Sequence, residues 1–314
     1  MIRNVKKISI VIPFFNEEDG IQILLEKLAQ MIEKDLKDVS VELILVDDHS
    51  SDNSSEQVRI AAQNNHSLKY LRLSKNSGSH IAIIAGLTKS TGDCMVFLAA
   101  DLQDPPELIS ELVKKWEEGN DVVWAVRKSV EGITRSTSFF SKMFYQMMNA
   151  SSSVKLPPTG ADFALLDKRV ASALISSSGS NPSLGSLIAW LGFRQTEIYY
   201  KKEARRFGKS KWTLTKKLEA FLDAFVGFSF VPMRLMIYLG FFMAGIGFLY
   251  ALFIIFLKLF IGKAIMGWAS IMIAVLIMGG VQMIMLGVLG EYLWRNLEES
   301  RKRPLFLLED EIGF

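Results

Sequence analysis

The chain has 314 residues, half of them hydrophobic, a formal net charge of +3 and a single cysteine, Cys94. A global charge so near zero does not argue for nucleic-acid binding, the distribution along the chain mattering more, and one cysteine excludes an internal disulfide, in keeping with a reducing compartment. Mean hydropathy is positive, which argues against a wholly soluble protein and for a globular part joined to membrane segments.

The first residues carry a short apolar run that leads into Glu17 and Glu18. This is too brief for a secretory leader, so the N-terminal part is expected to stay in the cytoplasm. Residues 8–13 predict a strand and 21–32 a helix with apolar side chains at helical spacing. A second strand follows over 41–46. Asp47, Asp48, Ser50, Ser51 and Asp52 then suit a turn and the start of a helix from Asn53. Further strands are expected at 68–73, 94–98 and 121–126, with helices at 79–88 and 108–117. Strands alternating with helices imply an α/β fold on a mostly parallel sheet, whose ligands sit at the carboxyl ends of the strands. Those ends hold Asn16 and Glu17, Asp47 and Asp48, and Asp101 to Asp104.

Two later stretches, 134–149 and 213–228, repeat bulky apolar residues at helical spacing. The second keeps Lys216 and Lys217 off its apolar stripe, as expected of a helix resting on anionic lipid; a core-facing helix is the alternative for both. Residues 235–257 and 264–290 are long apolar runs, each able to cross a bilayer once. Basic residues outside the pair outnumber Lys258 and Lys263 between them, so both chain ends are expected on the cytoplasmic side. The expected organisation is a cytoplasmic domain with its interfacial helices over 1–230, a two-helix transmembrane hairpin over 231–294 and a cytoplasmic tail over 295–314. Gly279, Gly280 and Gly287 would let such helices pack closely in a homo-oligomer.

Several clusters carry oxygen and nitrogen groups suited to chemistry. Asp101 and Gln103 follow a buried-type strand, and their oxygens suit Mg²⁺ or Mn²⁺, hard ions that bridge diphosphate oxygens. A solvated turn is the alternative reading. Carboxylates at the ends of the first two strands can accept hydrogen bonds from a base or ribose. Asp162 lies in a loop after Pro157 and Pro158, where an acid could orient an acceptor. Arg205, Arg206, Lys209, Ser210 and Lys211 form a basic loop, and Arg135 heads the earlier amphipathic stretch. These could hold phosphate oxygens or simply attract lipid headgroups.

The segments VIPFFNEE, LILVDDHSSDNS, ADLQDPPE, TGADFALLD and RRFGKSKW, then two apolar spans and EYLWRNLEESRKRPLF, occur in this order. The chain thereby resembles the family 2 glycosyltransferases that act on polyprenyl phosphates, over nearly its whole length. The group includes bactoprenol glucosyltransferases and dolichol-phosphate mannose synthases, and the two-span arrangement looks most like the bactoprenol branch.

The resemblance implies a GT-A fold, a Rossmann-like nucleotide-binding half continuous with an acceptor half. It implies that Pro13, Glu17 and Asp48 hold the nucleoside, and that Asp101 and Gln103 hold the metal and diphosphate. Asp162 would lie near the acceptor, and Arg135, Arg205, Ser210 and Lys211 would contact phosphate. It implies a nucleotide-sugar donor, UDP-glucose first and GDP-mannose behind it, a polyprenyl phosphate acceptor, and Mg²⁺ or Mn²⁺ as cofactor at a bacterial plasma membrane. One position departs from the pattern: Ala99 stands where the metal motif usually begins with aspartate. A non-catalytic sugar-nucleotide-binding scaffold is the rival of another class. A processive polysaccharide synthase is disfavoured because the chain has no Gln-x-x-Arg-Trp segment.

Overall fold

The computed structural model describes residues 3–127, 163–179, 184–201, 231–260 and 267–314. The chain forms two compact units, one of Met1–Ala224 with Pro304–Phe314 and one of Phe225–Arg303.

The first unit is built on an eight-stranded mixed sheet. Its strands are β1 (Lys7–Phe14), β2 (Ser40–Asp47), β3 (Leu68–Leu73), β4 (Cys94–Phe97), β5 (Val122–Arg127), β6 (Ala164–Asp167), β7 (Gln195–Tyr200) and β8 (Leu308–Ile312). The order across the sheet is β7-β5-β6-β4-β1-β2-β3-β8. The first four strands pair in parallel, as the alternating pattern predicts. Strands β6 and β8 run antiparallel to their neighbours. Helices α1 (Ile21–Asp35), α2 (Ser54–Asn64), α3 (Ser79–Lys89) and α4 (Leu108–Glu117) alternate with these strands, and α5 (Lys168–Ser177) and α6 (Leu184–Trp190) follow β6.

Strand β1 is central, and every residue from Ile8 to Phe14 is buried, as expected of a strand covered on both faces. Proline is rare in such a strand because it donates no hydrogen bond. Val11 O accepts from Leu98 N and Phe14 O accepts from Asp48 N, so alternation turns the Pro13 nitrogen towards β4. There the ladder has already ended at the Val11–Phe97 pair, and Pro13 breaks no bond. Helix α3 lies so close to the sheet that a Cβ on Gly86 would stand 2.3 Å from Val11 Cγ1.

The second unit contains α7 (Val231–Phe260, 30 residues) and α8 (Trp268–Ser300, 33 residues). At about 1.5 Å per residue each exceeds the roughly 30 Å hydrocarbon thickness of a bilayer. Both are long and apolar enough to cross one, over Met236–Leu257 and Ile277–Ser300. Phe241, Phe242, Leu249, Phe253, Met283 and Ile284 are exposed. A helix apolar all round needs protein or lipid about it, and among the described residues these side chains stay more than half exposed. Met285 Cε lies 3.7 Å from where a Cβ on Gly240 would be, so the two helices touch.

The expected stretches 134–149 and 213–228 lie outside the described residues, as does the start of the run 264–290. Residues 295–314, expected as a tail, hold the end of α8 and strand β8.

Candidate active site

Because β4, β1, β2 and β3 are adjacent and parallel, their carboxyl ends share one edge of the sheet. Residues 15–20, 48–53, 74–78 and 98–107 form the loops there. Three residues other than glycine in these loops have left-handed backbone: Asn16 (φ 52°), His49 (φ 64°) and Leu102 (φ 59°). Such strain persists only where surrounding contacts over-determine it, and it concentrates at functional sites.

The loop after β2 is anchored by two buried carboxylates in sequence. Asp47 accepts from Ser50 N at 2.7 Å, from the Tyr70 hydroxyl at 3.3 Å and from Arg72 Nη1. Asp48 turns to the next loop, where Oδ1 accepts from Ser77 N at 2.6 Å and Oδ2 from Gly78 N at 2.8 Å. Gly78, at φ 89°, precedes α3, so Asp48 ties the start of that helix to β2. Burial pushes the Asp48 carboxyl above its ordinary range; the two N–H groups pull it down and the neighbouring Asp47 charge adds to the rise. Each Asp48 oxygen keeps a lone pair beyond these bonds, so holding the loop and accepting from a ligand are compatible. The start of α2 is served by Asp52, whose Oδ1 accepts from Ser54 N at 3.1 Å.

The loop after β1 is stitched to the one after β2. Asn16 N donates to Ser50 Oγ at 3.0 Å, and Asn16 Oδ1 accepts from Ser51 N at 2.8 Å. Glu18 N donates to Asp52 Oδ2 and Glu18 Oε2 accepts from Asn53 N. Glu17 sits between these reciprocal pairs, half-buried, with its carbonyl accepting from Gly20 N and Ile21 N at the start of α1.

The loop after β4 carries Asp101 and Gln103, both half-buried, either side of Leu102, which is buried and approaches Gly20. Asp101 Oδ1 accepts from Gln103 N at 3.2 Å. Among the described residues no group of three His, Cys, Asp or Glu side chains could hold a metal. Mg²⁺ and Mn²⁺ do not require one, since such ions are held by one or two protein oxygens together with phosphate and water. One carboxylate and one amide oxygen at a strand's carboxyl end fit that use. Asp104, in the same loop, is buried and accepts a short hydrogen bond from the Tyr200 hydroxyl at the end of β7. Burial raises the Tyr200 pKa, and the Asp104 charge and hydrogen bond add to the rise.

The structure thus gathers Pro13, Glu17, Asp48, Asp101 and Gln103 at one edge. Arg135, Asp162, Arg205, Ser210 and Lys211 lie outside the described residues; Phe163, next to Asp162, is buried with its ring edge-on to Tyr200, 6.2 Å between centroids. Sequence reasoning missed Arg72 and Tyr200, and placed Asp104 at the strand end without giving it a role. Arg72 and Tyr200 carried no signal, each lying within a strand.

The model of a protein family described as glycosyl transferase family 2 matches residues 9–175. An uncharacterized glycosyltransferase of Synechocystis is 40% identical over 307 residues, covering 98% of this chain and 96% of its own. The bactoprenol glucosyl transferase of Shigella phage SfV is 32% identical over 308 residues, covering 97% and 99%. Among solved structures, glucosyl-3-phosphoglycerate synthase from Mycobacterium tuberculosis, in complex with Mn²⁺, UDP and phosphoglyceric acid, aligns with a TM-score of 0.51 at 17% identity, covering 70% of this chain and 76% of that one. That likeness carries the GT-A fold alone. The chain belongs to glycosyl transferase family 2 and is a glycosyltransferase.

Proposed function

We propose that the protein transfers a hexose, glucose from UDP-glucose in the first instance, to undecaprenyl phosphate at the cytoplasmic face of a bacterial membrane. The observation that carries this reading is the near full-length similarity to bactoprenol glucosyl transferases. It is supported by the acidic loops at one sheet edge and the two apolar helices that follow. In this reading both helices span the bilayer with the two chain ends cytoplasmic. A homo-oligomer is part of the proposal, with Gly279, Gly280 and Gly287, whose surroundings are open, on the packing faces.

Glu17 and Asp48 would accept hydrogen bonds from the nucleoside, packed against Pro13. The Asp101 carboxylate and the Gln103 amide oxygen would hold Mg²⁺ or Mn²⁺, which when bound offsets the charge of the diphosphate. A lipid phosphate oxygen forms the new bond to the anomeric carbon as the bond to the nucleoside diphosphate breaks on the opposite side, inverting the centre. A phosphomonoester has its second pKa at about 6 and is mostly dianionic near neutrality, so no base needs to remove a proton. Asp162 would orient the acceptor, and Arg135, Arg205, Ser210 and Lys211 would contact phosphate oxygens.

The donor is tested by giving purified protein undecaprenyl phosphate with UDP-glucose, UDP-galactose, UDP-N-acetylglucosamine or GDP-mannose, each labelled in the sugar. Label entering the lipid from UDP-glucose first is expected. Preference for GDP-mannose would replace the glucosyl assignment with a mannosyl one.

A further inference from the structure

The strand that follows α8 in the chain reaches the donor edge through one arginine. Strand β8 pairs antiparallel with β3, Arg72 opposite Asp310 and Leu73 opposite Leu308, and Ser74 N donates to Leu307 O at 2.9 Å. Its acidic residues meet cations on elements of the sheet: Glu309 with Arg72 Nε at 2.8 Å, Asp310 with Arg59 at 3.6 Å and Glu311 with Lys89 at 2.6 Å. Of these, Arg72 alone is bonded to the loop after β2. Its Nη1 donates to Asp47 and to Ser55 Oγ (2.9 Å), and its Nη2 donates to the Ser50 carbonyl at 3.2 Å. Asp47 in turn holds Ser50 N, and Ser50 Oγ receives Asn16 N. A continuous set of bonds therefore runs from Glu309 through Arg72 to the turns that present Asp48 and Glu17. His49, the left-handed residue of that turn, also faces Glu309, with Nδ1 3.3 Å from Oε2.

We propose that Glu309 is a positioning residue for the nucleotide site, so that β8 belongs functionally to donor binding; this rests on the donor reading above. A guanidinium is a rigid planar fork of five N–H donors. With Nε engaged by Glu309, its plane is set and the two Nη groups point at Asp47, Ser55 and Ser50. Arg72 is mostly buried, at 19% exposure, whereas Glu309 is 49% exposed. An ion pair that open to solvent contributes little to stability by itself. Its consequence is orientation: without Glu309, Arg72 can rotate and the turn of residues 48–53 loses its outer support.

The full chain in detergent, with Mn²⁺, is titrated with UDP and with GDP by calorimetry, as wild type, Glu309→Ala, Glu309→Gln and Asp310→Ala. Asp310→Ala serves as control because it removes an acid from the same strand whose partner, Arg59, lies on α2. Indirect positioning contacts modulate binding by about twofold to thirtyfold. Glu309→Ala is expected to weaken nucleotide binding within that range and raise the donor KM by a similar factor, with kcat little changed. Glu309→Gln, which keeps an acceptor for Nε, should lose less, and Asp310→Ala should match wild type. Equal binding by wild type and Glu309→Ala, or an equal loss in Asp310→Ala, would overturn the proposal while leaving the donor reading standing. Wild-type protein that binds neither nucleotide would overturn both.

Discussion

The Tyr200 hydroxyl donates to the buried Asp104 carboxylate, joining the end of β7 to the loop that carries Asp101 and Gln103. The same ring meets Phe163 edge-on, one residue from Asp162. A single side chain thus touches both the metal-type loop and the residue beside the expected acceptor acid. Strand β7 also pairs with β5, Tyr200 opposite Arg127.

Tyr200→Phe removes the hydroxyl and keeps the ring. Loss of a hydrogen bond to a buried charged group should destabilise the first unit by about 1.5–3 kcal/mol. Turnover should fall by more than donor binding, because the loop position changes while the nucleoside turns do not. Thermal unfolding and separate kcat and KM values check this; unchanged values on all three would count against a role for the bond.

Asp101→Asn should reduce turnover by about a hundredfold or more, the scale expected when charge stabilisation at a leaving group is weakened. Raising the Mn²⁺ concentration should recover part of the loss, because Gln103 and the diphosphate remain. Near-normal turnover in both Asp101→Asn and Asp162→Asn would show the site assignment to be wrong.

Gly86→Ala should destabilise the protein by about 1–3 kcal/mol through overpacking. The new Cβ would stand 2.3 Å from Val11 Cγ1 and 3.0 Å from Val46 Cγ2, on β-branched side chains with little room to turn away. A lower urea midpoint with an unchanged slope is the expected signature.

Glu42 is buried on β2 and accepts from Ser9 Oγ at 2.5 Å and Thr91 N at 2.6 Å, with Lys7 and Lys69 at 3.0 and 3.1 Å. Burial alone would raise its pKa, but these partners lower it from 4.5 to about 2. A folded-state pKa below the ordinary one means the contribution is present above pH 4.5 and is lost as pH falls towards 2. Glu42→Gln should lower stability near neutrality and flatten its decline in acid, as read by urea unfolding from about pH 6 to about pH 3.

The apolar helices should matter most for a long-chain acceptor, by keeping the catalytic unit where the headgroup is held. Truncation after Phe230 would remove β8 as well, so the cleaner test replaces residues 231–303 with a Gly/Ser linker. Activity on undecaprenyl phosphate in vesicles should fall much further than activity on a short soluble analogue. Equal losses would contradict tethering.

Much of the central sheet was legible because β1 to β4 are short apolar runs between helices of regular period; α1 extends only to Asp35 beyond its expected end. The acids at the strand ends were legible for the same reason, since topology places those ends together. Strand β8 was not: Leu308–Ile312 reads LEDEI, three acids that favour a solvated tail. It is a strand because Arg72, Arg59 and Lys89 lie along its partner elements, a tertiary context that overrides propensity. Arg72 was hidden likewise, since it sits mid-pattern in β3 and its partner is 237 residues away. Strand β7, QTEIYY, is half-exposed over its first residues and lacks the clean apolar alternation that marks a strand.

Transfer of labelled sugar from UDP-glucose to undecaprenyl phosphate by the purified full chain, with Mg²⁺ or Mn²⁺ and with chelator, is the most direct measurement. The account predicts cation-dependent label in the extracted lipid from wild type and little from Asp101→Asn. Wild-type protein that leaves the lipid unlabelled with every common nucleotide-sugar and either cation would contradict it.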